Sequence, residues 1–387
     1  MKKMLLALPL FVLLTFVPVT AGGSPLYSPT WGFRLDLPED YEFSGGDGKN
    51  TFSFTTGDGA CLDLAVYSQG SGRNQYQSAE ALAKDVQRRL SGSGGIDVFE
   101  YRRKEAAIME LSFSAGKQMS GWGLCIELGD IGDRPQNAKQ SFLLALAFGP
   151  AERKDLQQLY FSALDSIIPE DSDRHYPGPI TDYSYPREKR KLMPLAGLDA
   201  EAWFYEEDAE AAQALVDREF AVLRRYASSP VWKEAWTRFY RAIYRDSYDR
   251  LINAAFIVER KLNVPPLENR DFAHSLLQWV QSFKYERNLI GSDFVNLVSA
   301  AIEGRGDCDS RALLWAVMLN QADIPAAIMV SREYSHAMGL AELPGGGAHF
   351  TVEGKQWLVA ETTARVSISL IGEKVSDISG WLGIVFE

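Results

Sequence analysis

Cys308 is the residue of this sequence with the clearest capacity for chemistry. It follows two glycines in the stretch Gly-Arg-Gly-Asp-Cys-Asp-Ser-Arg at residues 304–311, and apolar residues at helical spacing continue to Leu319. This pattern predicts that Cys308 lies in the first turn of a buried helix. The partial positive charge of a helix N-terminus favours a thiolate, which is the nucleophilic form of cysteine.

A thiol nucleophile needs an imidazole to hold its proton and an acid to orient that imidazole. His336 follows Cys308 by 28 residues at a predicted strand start, and Glu361 follows His336 by 25 residues at a predicted strand end. One helix–sheet junction could therefore hold all three groups. Asp307 and Asp309 flank the thiol, and their charges oppose thiolate formation. An ordinary ion pair is the alternative role for Glu361.

His349 is the rival base. If Gly354 and Lys355 form a two-residue turn, residue 349 faces residue 360, and His349 and Glu361 point to opposite faces of the sheet. This register favours His336. The glycines at residues 345–347 leave the pairing of the two earlier strands open.

Composition excludes several classes of partner and site. The 387 residues carry 40 basic and 51 acidic side chains, a formal charge of −11 that argues against nucleic acid or anionic lipid as the main partner. The four histidines are scattered and no Cys-x-x-Cys pair is present, so we expect no zinc site. No calcium-loop pattern is visible, and the sequence predicts neither a metal nor a cofactor.

The N-terminus predicts export. Lys2 and Lys3 precede an apolar run at residues 5–17 and small residues up to Ala21, which is typical of a cleaved signal peptide spanning residues 1–21. An uncleaved anchor is the alternative. We expect a periplasmic or extracellular protein with no stable membrane span after signal removal. In that setting Cys61 and Cys125 could form a disulfide, or they could be two ordinary strand cysteines.

The fold class predicted from periodicity is α+β. Residues 24–168 read as three strands, a helix, four strands and a helix, which an antiparallel sheet with helices on one face would bury. Residues 169–198 are rich in proline and predict an extended linker. Residues 199–262 predict helices, and residues 263–387 predict helices followed by an antiparallel sheet.

The N-terminal order of elements, which begins with Trp-Gly-Phe-Arg-Leu-Asp-Leu-Pro at residues 31–38, resembles the PsbP-like α/β sandwich. The resemblance covers about 140 residues and is one of pattern. It implies a binding or adaptor role, with a possible protein partner for this domain.

Residues 255–365 resemble the transglutaminase-like core of the papain-like thiol enzymes. The matching motifs are Gly-Asp-Cys-Asp-Ser-Arg-Ala-Leu-Leu from Gly306, Asp-Ile-Pro-Ala-Ala from Asp323, Ser-His-Ala-Met from Ser335, and Trp-Leu-Val-Ala-Glu-Thr-Thr from Trp357. The resemblance implies that Cys308 is the nucleophile, His336 the base and Glu361 the orienting acid. Glutamate departs from the aspartate that is usual in this family.

Two functions follow from these patterns. The first is a cysteine peptidase, amidase or transglutaminase-like enzyme that forms a thioester with a peptide or protein amide, with hydrolysis as the expected outcome. The second is a catalytically silent exported interaction protein that keeps the same fold. The second function is compatible with Asp307, Asp309 and the glutamate at residue 361.

Overall fold

The computed structural model describes residues 25–68, 76–129, 140–287 and 292–386. The predicted signal peptide at residues 1–21 lies outside these residues. Within the described ranges, no helix is long and apolar enough to cross a membrane.

The N-terminal part is built on one antiparallel sheet. Its strands are β1 (Leu26–Tyr27), β2 (Arg34–Leu35), β3 (Glu42–Gly45), β4 (Thr51–Thr55), β5 (Cys61–Ser68), β6 (Ile96–Tyr101), β7 (Lys104–Ser114), β8 (Gln118–Glu127) and β9 (Ser141–Pro150). In the described chain, seven of them pair in the order β3-β4-β5-β9-β8-β7-β6, and β1 pairs with β2 separately. Two longer helices accompany them, α1 (Ala79–Arg89) and α2 (Gln157–Asp165).

Helices α1 and α2 cover opposite faces of this sheet. Even-numbered residues 142–146 of β9 share a core with α1, whereas odd-numbered residues 143–147 share a core with α2. The prediction of helices on one face is therefore wrong. The physical reason is visible in β9, where Ser-Phe-Leu-Leu-Ala-Leu-Ala-Phe is a continuous apolar run, as expected of a strand buried on both faces.

Cys61 and Cys125 are free thiols, so of the two alternatives the structure has ordinary strand cysteines and no disulfide between them. They lie on β5 and β8, which are separated by β9. Cys125 on β8 is opposite Leu144 on β9, and Leu144 is opposite Ala65 on β5. Ala65 is four residues along β5 from Cys61. Two strand spacings alone amount to about 10 Å, beyond the Cα separation that a disulfide tolerates.

Residues 169–198 are structured, and the prediction of an extended linker is wrong for them. They contain α3 (Pro179–Ser184) and β10 (Arg190–Pro194), and β10 forms an antiparallel pair with β11 (Glu201–Tyr205). The buried carboxylate of Asp165 accepts hydrogen bonds from the first backbone amides of α3, which satisfies donors that a helix start leaves free.

A helical layer joins the two sheets. It comprises α4 (Asp208–Leu223), α5 (Trp232–Arg250), α6 (Ile252–Leu262), α7 (Asn269–Gln281), α8 (Leu297–Glu303) and α9 (Cys308–Gln321), with a short parallel pair β12 (Lys284–Tyr285) and β13 (Arg305–Gly306). Residues 199–262 are helical as predicted except at β11. One continuous apolar core runs from the N-terminal sheet through these helices to the C-terminal sheet.

The C-terminal sheet follows the helices, as predicted for residues 263–387. Its strands are β14 (Ala326–Ser331), β15 (His336–Ala341), β16 (His349–Val352), β17 (Lys355–Ala360) and β18 (Leu382–Val385). They pair antiparallel in the order β16-β17-β15-β14-β18 within the described residues. Helix α9 packs closely on β15, because a Cβ at Gly339 would lie 2.5 Å from Trp315. The fold class is α+β.

Candidate thiol site

Cys308 is the first residue of α9, as predicted. Asp307 is the N-cap, and its Oδ1 accepts hydrogen bonds from the Ser310 backbone amide at 2.9 Å and from the Ser310 hydroxyl. Residues 310–319 of α9 are all buried, so the helix cannot rotate without exposing apolar surface. Burial of the helix thus determines where the thiol lies, and Cys308 itself is only 3% exposed.

The surroundings of the thiol oppose ionisation on balance. Burial comes first, and the charges of Asp309 and Asp307 add to it, so the pKa of Cys308 is raised well above its usual range. The Ala337 backbone amide and the Arg287 guanidinium act in the opposite direction. The hydroxyl of Tyr285 also lies near the thiol. The favourable helix terminus is therefore outweighed by burial and two carboxylates.

His336 and Glu361 are joined directly. His336 begins β15 and Glu361 follows β17, which pairs with β15, and their Nε2 and Oε2 atoms are 2.7 Å apart. The other carboxylate oxygen accepts hydrogen bonds from the Thr363 amide at 2.7 Å and the Thr363 hydroxyl at 2.6 Å. Burial would raise the pKa of Glu361, but the hydrogen bonds from His336 and Thr363 lower it overall.

The sheet also brings His336 towards the thiol. The next residue along β15, Ala337, presents its backbone amide to Cys308. Since Nε2 of His336 is held by Glu361, Nδ1 is the ring nitrogen left for another partner. Of the predicted residues, His336 and Glu361 are therefore bonded to each other, and the residue after His336 lies near Cys308.

His349 is held elsewhere. Its Nδ1 lies 2.8 Å from the Gly347 carbonyl oxygen, and His349 pairs with Leu358 on β17. The turn is at residues 353–354, so the predicted pairing of residue 349 with residue 360 is wrong by two residues. A two-residue shift keeps each side chain on the same face, and the imidazole bound to Glu361 is that of His336.

Three carboxylates lie close together beside the thiol. Oxygen atoms of Asp293, Asp307 and Asp309 all lie within 4.8 Å of one another. Burial and the charge of Asp309 raise the pKa of Asp307 to about 8. Burial raises the pKa of Asp309 to about 6, although a hydrogen bond from Tyr240 lowers it. Sequence reasoning found the two acids next to Cys308 but missed Asp293, which no local pattern marks.

Arg311 is a further residue that the sequence did not single out as part of the site. Its guanidinium is buried and donates hydrogen bonds to the carbonyl oxygens of Phe283 at 2.6 Å, Gly306 at 3.1 Å and Thr362 at 3.5 Å. These carbonyls belong to the segments that carry Tyr285, Cys308 and Glu361. One buried cation therefore fixes three parts of the site relative to one another.

Comparisons with known proteins give only distant similarity. No family model and no curated protein matches this chain. Among solved structures, the cyanobacterial PsbP of Synechocystis is 13% identical over 38% of this chain and 92% of its own, with a TM-score of 0.28. A candidate protease from Parabacteroides distasonis is 11% identical over 72% of this chain and 48% of its own, with a TM-score of 0.20.

Red sea bream transglutaminase is 9% identical to this chain over 80% of this chain and 47% of its own, with a TM-score of 0.17. The chain thus has weak structural similarity to a PsbP, to a candidate protease and to a transglutaminase. All of these scores are low, so function has to be argued from the residues of the site.

Proposed function

We propose that this chain is an exported thiol enzyme with a transglutaminase-like core, which transfers or hydrolyses acyl groups at amide bonds through Cys308, His336 and Glu361. The observation that carries the proposal is the 2.7 Å contact between Nε2 of His336 and Oε2 of Glu361. The residue after His336 on β15 is Ala337, and its backbone amide lies near the Cys308 thiol. A thiol, a base and an oriented acid are the groups that acyl transfer requires.

In this proposal each group has one role. Thr363 holds Glu361, and Glu361 holds Nε2 of His336, so Nδ1 can accept the thiol proton. The sulfur then attacks the carbonyl carbon, and the Ala337 amide and the Tyr285 hydroxyl are the donors available to the developing oxyanion. Charge on the imidazolium is stabilised by Glu361.

Collapse of the tetrahedral intermediate breaks the carbon–nitrogen bond, and His336 gives its proton to the leaving amine. The product is a thioester on Cys308. Water that loses a proton to His336 can attack this thioester, break the carbon–sulfur bond and release the acid, which is hydrolysis. A primary amine in place of water gives a new amide.

The raised pKa of Cys308 decides how the thiol reacts. Little thiolate exists at neutral pH in the resting site, so the proton has to leave during the attack rather than before it. General-base catalysis by His336 is then essential, and it typically contributes a factor of about 10² to 10⁴.

The test is formation of a thioester with p-nitrophenyl acetate, detected by mass spectrometry in a protein whose Cys61 and Cys125 are replaced by serine. We expect one acetyl group per chain, its loss in Cys308→Ser, and a rate at least 10²-fold lower in His336→Ala. His349→Ala is the matched control, because His349 lies on the same sheet without a contact to Glu361, and its rate should be unchanged. Equal rates in the two histidine variants would refute the proposed base.

A catalytically silent interaction protein is the second candidate. It is favoured by the burial of Cys308 and by the two carboxylates that raise its pKa. Absence of acetylation at every pH from 6 to 9 would support this candidate. The search for a protein partner would then begin at the N-terminal sheet.

Export is part of the proposal and has its own test. The sequence of residues 1–21 supports a signal peptide. N-terminal sequencing of the protein recovered outside the cytoplasm should begin close to Gly22. An intact Met1 on the recovered protein would contradict cleavage.

A further inference from the structure

A cavity of about 380 Å³ lies where the N-terminal part, the helical layer and the C-terminal sheet meet. Its wall is formed by residues of α2, α4, α5 and β18 and by Arg34 of β2. Cys308, His336 and Glu361 are not among the residues that line it. Cavities of this size between parts of a protein are typical of small-molecule sites. The chemistry of the wall decides what kind of molecule the cavity can hold.

Arginines dominate the polar part of the wall. Six of them line the cavity: Arg34, Arg174, Arg218, Arg238, Arg241 and Arg245. The last three are spaced by three and four residues, which places them on one face of α5. Five acids form ion pairs with the six arginines: Asp36, Glu39, Asp165, Asp171 and Glu219. Within the described chain, the arginines of the wall therefore outnumber the acids paired with them by one.

Arg245 is the arginine without an acid. Its guanidinium donates hydrogen bonds to the Tyr101 hydroxyl at 3.3 Å and to the backbone carbonyl oxygens of Tyr176 at 2.9 Å, Asp165 at 2.9 Å and Ile167 at 3.1 Å. The carboxylate of Asp165 is bonded to Arg218 instead, at 2.5 Å. Among the residues that the structure describes, no carboxylate is paired with the charge of Arg245.

Arg238 gives a second indication at the same wall. Its Nε is bonded to Glu39 and its Nη1 to Glu219, and only 2% of the residue is exposed. Its Nη2 is buried and has no hydrogen-bond partner in the described part of the chain. A buried charged donor without an acceptor is unfavourable and rare in folded proteins. The wall thus has an excess of donors as well as an excess of positive charge.

Two further acids line the cavity without compensating Arg245. Both carboxylate oxygens of Asp246 are bonded to Arg250, at 2.9 and 2.8 Å. Glu353 is exposed at the turn between β16 and β17, where water and salt screen its charge. The excess positive charge of the wall therefore remains.

The rest of the wall is largely apolar. Ile384, Val385 and Phe386 line the cavity at the end of the C-terminal sheet. The ring of Phe386 stacks on that of Tyr244 from α5, with 4.2 Å between the ring centroids and 3° between the ring planes. A molecule that fills the cavity would meet both guanidinium groups and apolar side chains.

We propose that this cavity binds a small organic anion in which one carboxylate is attached to an apolar group. Guanidinium groups suit both carboxylates and phosphates. A single negative charge balances the one unpaired arginine, whereas a phosphate ester carries about −1.5 to −2 at pH 7 and would overcompensate it. The site is separate from the thiol, because α5 faces Asp309 through Tyr240 and the cavity through its arginines. The inference therefore does not depend on the proposed function.

Binding is tested by calorimetric titration of the full chain with 4-phenylbutyrate. We expect one molecule per chain, with a Kd below about 1 mM. The amide 4-phenylbutyramide has the same shape without the charge, and inorganic phosphate has charge without an apolar group. Each of these two controls should bind at least about 10-fold more weakly than 4-phenylbutyrate.

Two sets of variants locate the binding in the cavity. Arg245→Gln removes the unpaired charge and should weaken binding of 4-phenylbutyrate at least about 10-fold. Arg241→Met and Asp36→Asn are a matched pair, because the two residues are joined by bonds of 2.9 and 2.8 Å and each change breaks the same ion pair. Arg241→Met should weaken binding, whereas Asp36→Asn adds net positive charge and should leave binding equal or tighter. This pair carries the test if Arg245→Gln does not fold.

Four results would overturn the anion site: no saturable binding of 4-phenylbutyrate, equal binding of the acid and its amide, phosphate bound as tightly as 4-phenylbutyrate, or equal weakening by Arg241→Met and Asp36→Asn. Cys308→Ser should bind 4-phenylbutyrate as the native chain does. Acetylation of Cys308 without binding of 4-phenylbutyrate would reject the cavity site and keep the proposed function. Binding without acetylation would keep the cavity site and reject the enzyme.

Discussion

Buried carboxylates occur in two regions of this protein and behave in opposite ways. Where α2, α4 and α5 meet, Glu219 bonds to Arg218 and to Arg238, and Asp165 bonds to Arg218. Burial would raise the pKa of both acids, but the neighbouring arginines lower it on balance. Around Cys308, Asp307 and Asp309 have a raised pKa because burial outweighs their hydrogen bonds.

The difference distinguishes buried acids whose charge is balanced by arginine from buried acids whose charge is not. Asp165 and Glu219 each bond to an arginine, and these ion pairs hold neighbouring helices together. Where acids outnumber the cations bonded to them, the acids can gain and lose protons. The acids around Cys308 are therefore the region in which charge can change with conditions.

The largest expected effect is at the arginine-rich contact. Arg238→Met would leave Glu39 buried without its cation and Glu219 with Arg218 alone, because Arg238 bonds to the two acids at 3.1 and 2.6 Å. Removing one partner of a buried ion pair costs about 3–5 kcal/mol. The free energy of unfolding in urea should fall by that amount, while Arg174→Met, which removes only a surface ion pair with Asp171, should change it by less than about 1 kcal/mol.

The pH dependence of stability distinguishes the two regions next. An acid whose folded pKa is raised binds more protons when folded, so its contribution to stability is complete below about pH 4 and is lost as the pH rises through the folded value. For Asp307 that window runs from about pH 4 to about 8. We expect the free energy of unfolding, measured with excess chelator, to fall on the order of 3 kcal/mol between pH 5 and pH 8.

Asp307→Asn is the matched variant for that measurement, because asparagine can also cap a helix. Its stability should fall much less over the same range, and the remaining slope should come from Asp309 and Asp182, whose pKa values are raised to about 6. The lowered pKa values of Asp165 and Glu219 affect stability only below about pH 5, so they cannot produce this slope. A native chain and a variant with equal slopes would contradict the raised pKa of Asp307.

Glu361 differs from the acids of both regions, because its partner is the imidazole of His336, which can gain and lose a proton. Glu361→Gln keeps the shape but removes the charge that stabilises the imidazolium. The acetylation rate with p-nitrophenyl acetate should fall about 10²-fold, and circular dichroism should be unchanged. A rate within a factor of two of the native chain would assign Glu361 to an ordinary ion pair.

The smallest expected effect is at Tyr240. Tyr240→Phe removes the hydrogen bond to Asp309 at 2.9 Å and leaves the helix packing of the ring in place. A bond to a charged group contributes about 1.5–3 kcal/mol when the group is fully ionised, so the loss of stability should be near that range at pH 8 and smaller at pH 5. Equal losses at both pH values would show that Asp309 does not change its charge in this range.

The sequence was most informative where a reactive residue lies within a regular pattern of apolar residues. The glycine turn, the N-cap Asp307 and the apolar run to Leu319 place Cys308 at the start of α9 because capping and burial of one helix are local properties. His336 and Glu361 could be proposed from their positions at strand ends. The predicted linker was wrong because prolines at residues 177–179 begin a helix whose amides bond to Asp165, a residue outside the linker.

The cysteine pairing stayed open and the predicted helix positions were wrong for a common reason. Both depend on the order of strands in the sheet, and β9 inserts between β5 and β8 although it follows them in the chain. Strand order is set by long-range pairing, and local periodicity carries no information about that pairing. The same holds for Asp293, which becomes part of the site only through tertiary packing.

The sequence by itself determined the class of elements, the position of Cys308 at a helix start and the identity of the groups that could serve it, because these follow from local spacing and side-chain chemistry. Only the tertiary structure decided that Glu361 bonds to His336 rather than to His349. It also decided that two free thiols lie apart and that a third carboxylate joins Asp307 and Asp309. The charge of a buried group depends on which other groups surround it in space. The order of residues along the chain does not give these spatial neighbours directly.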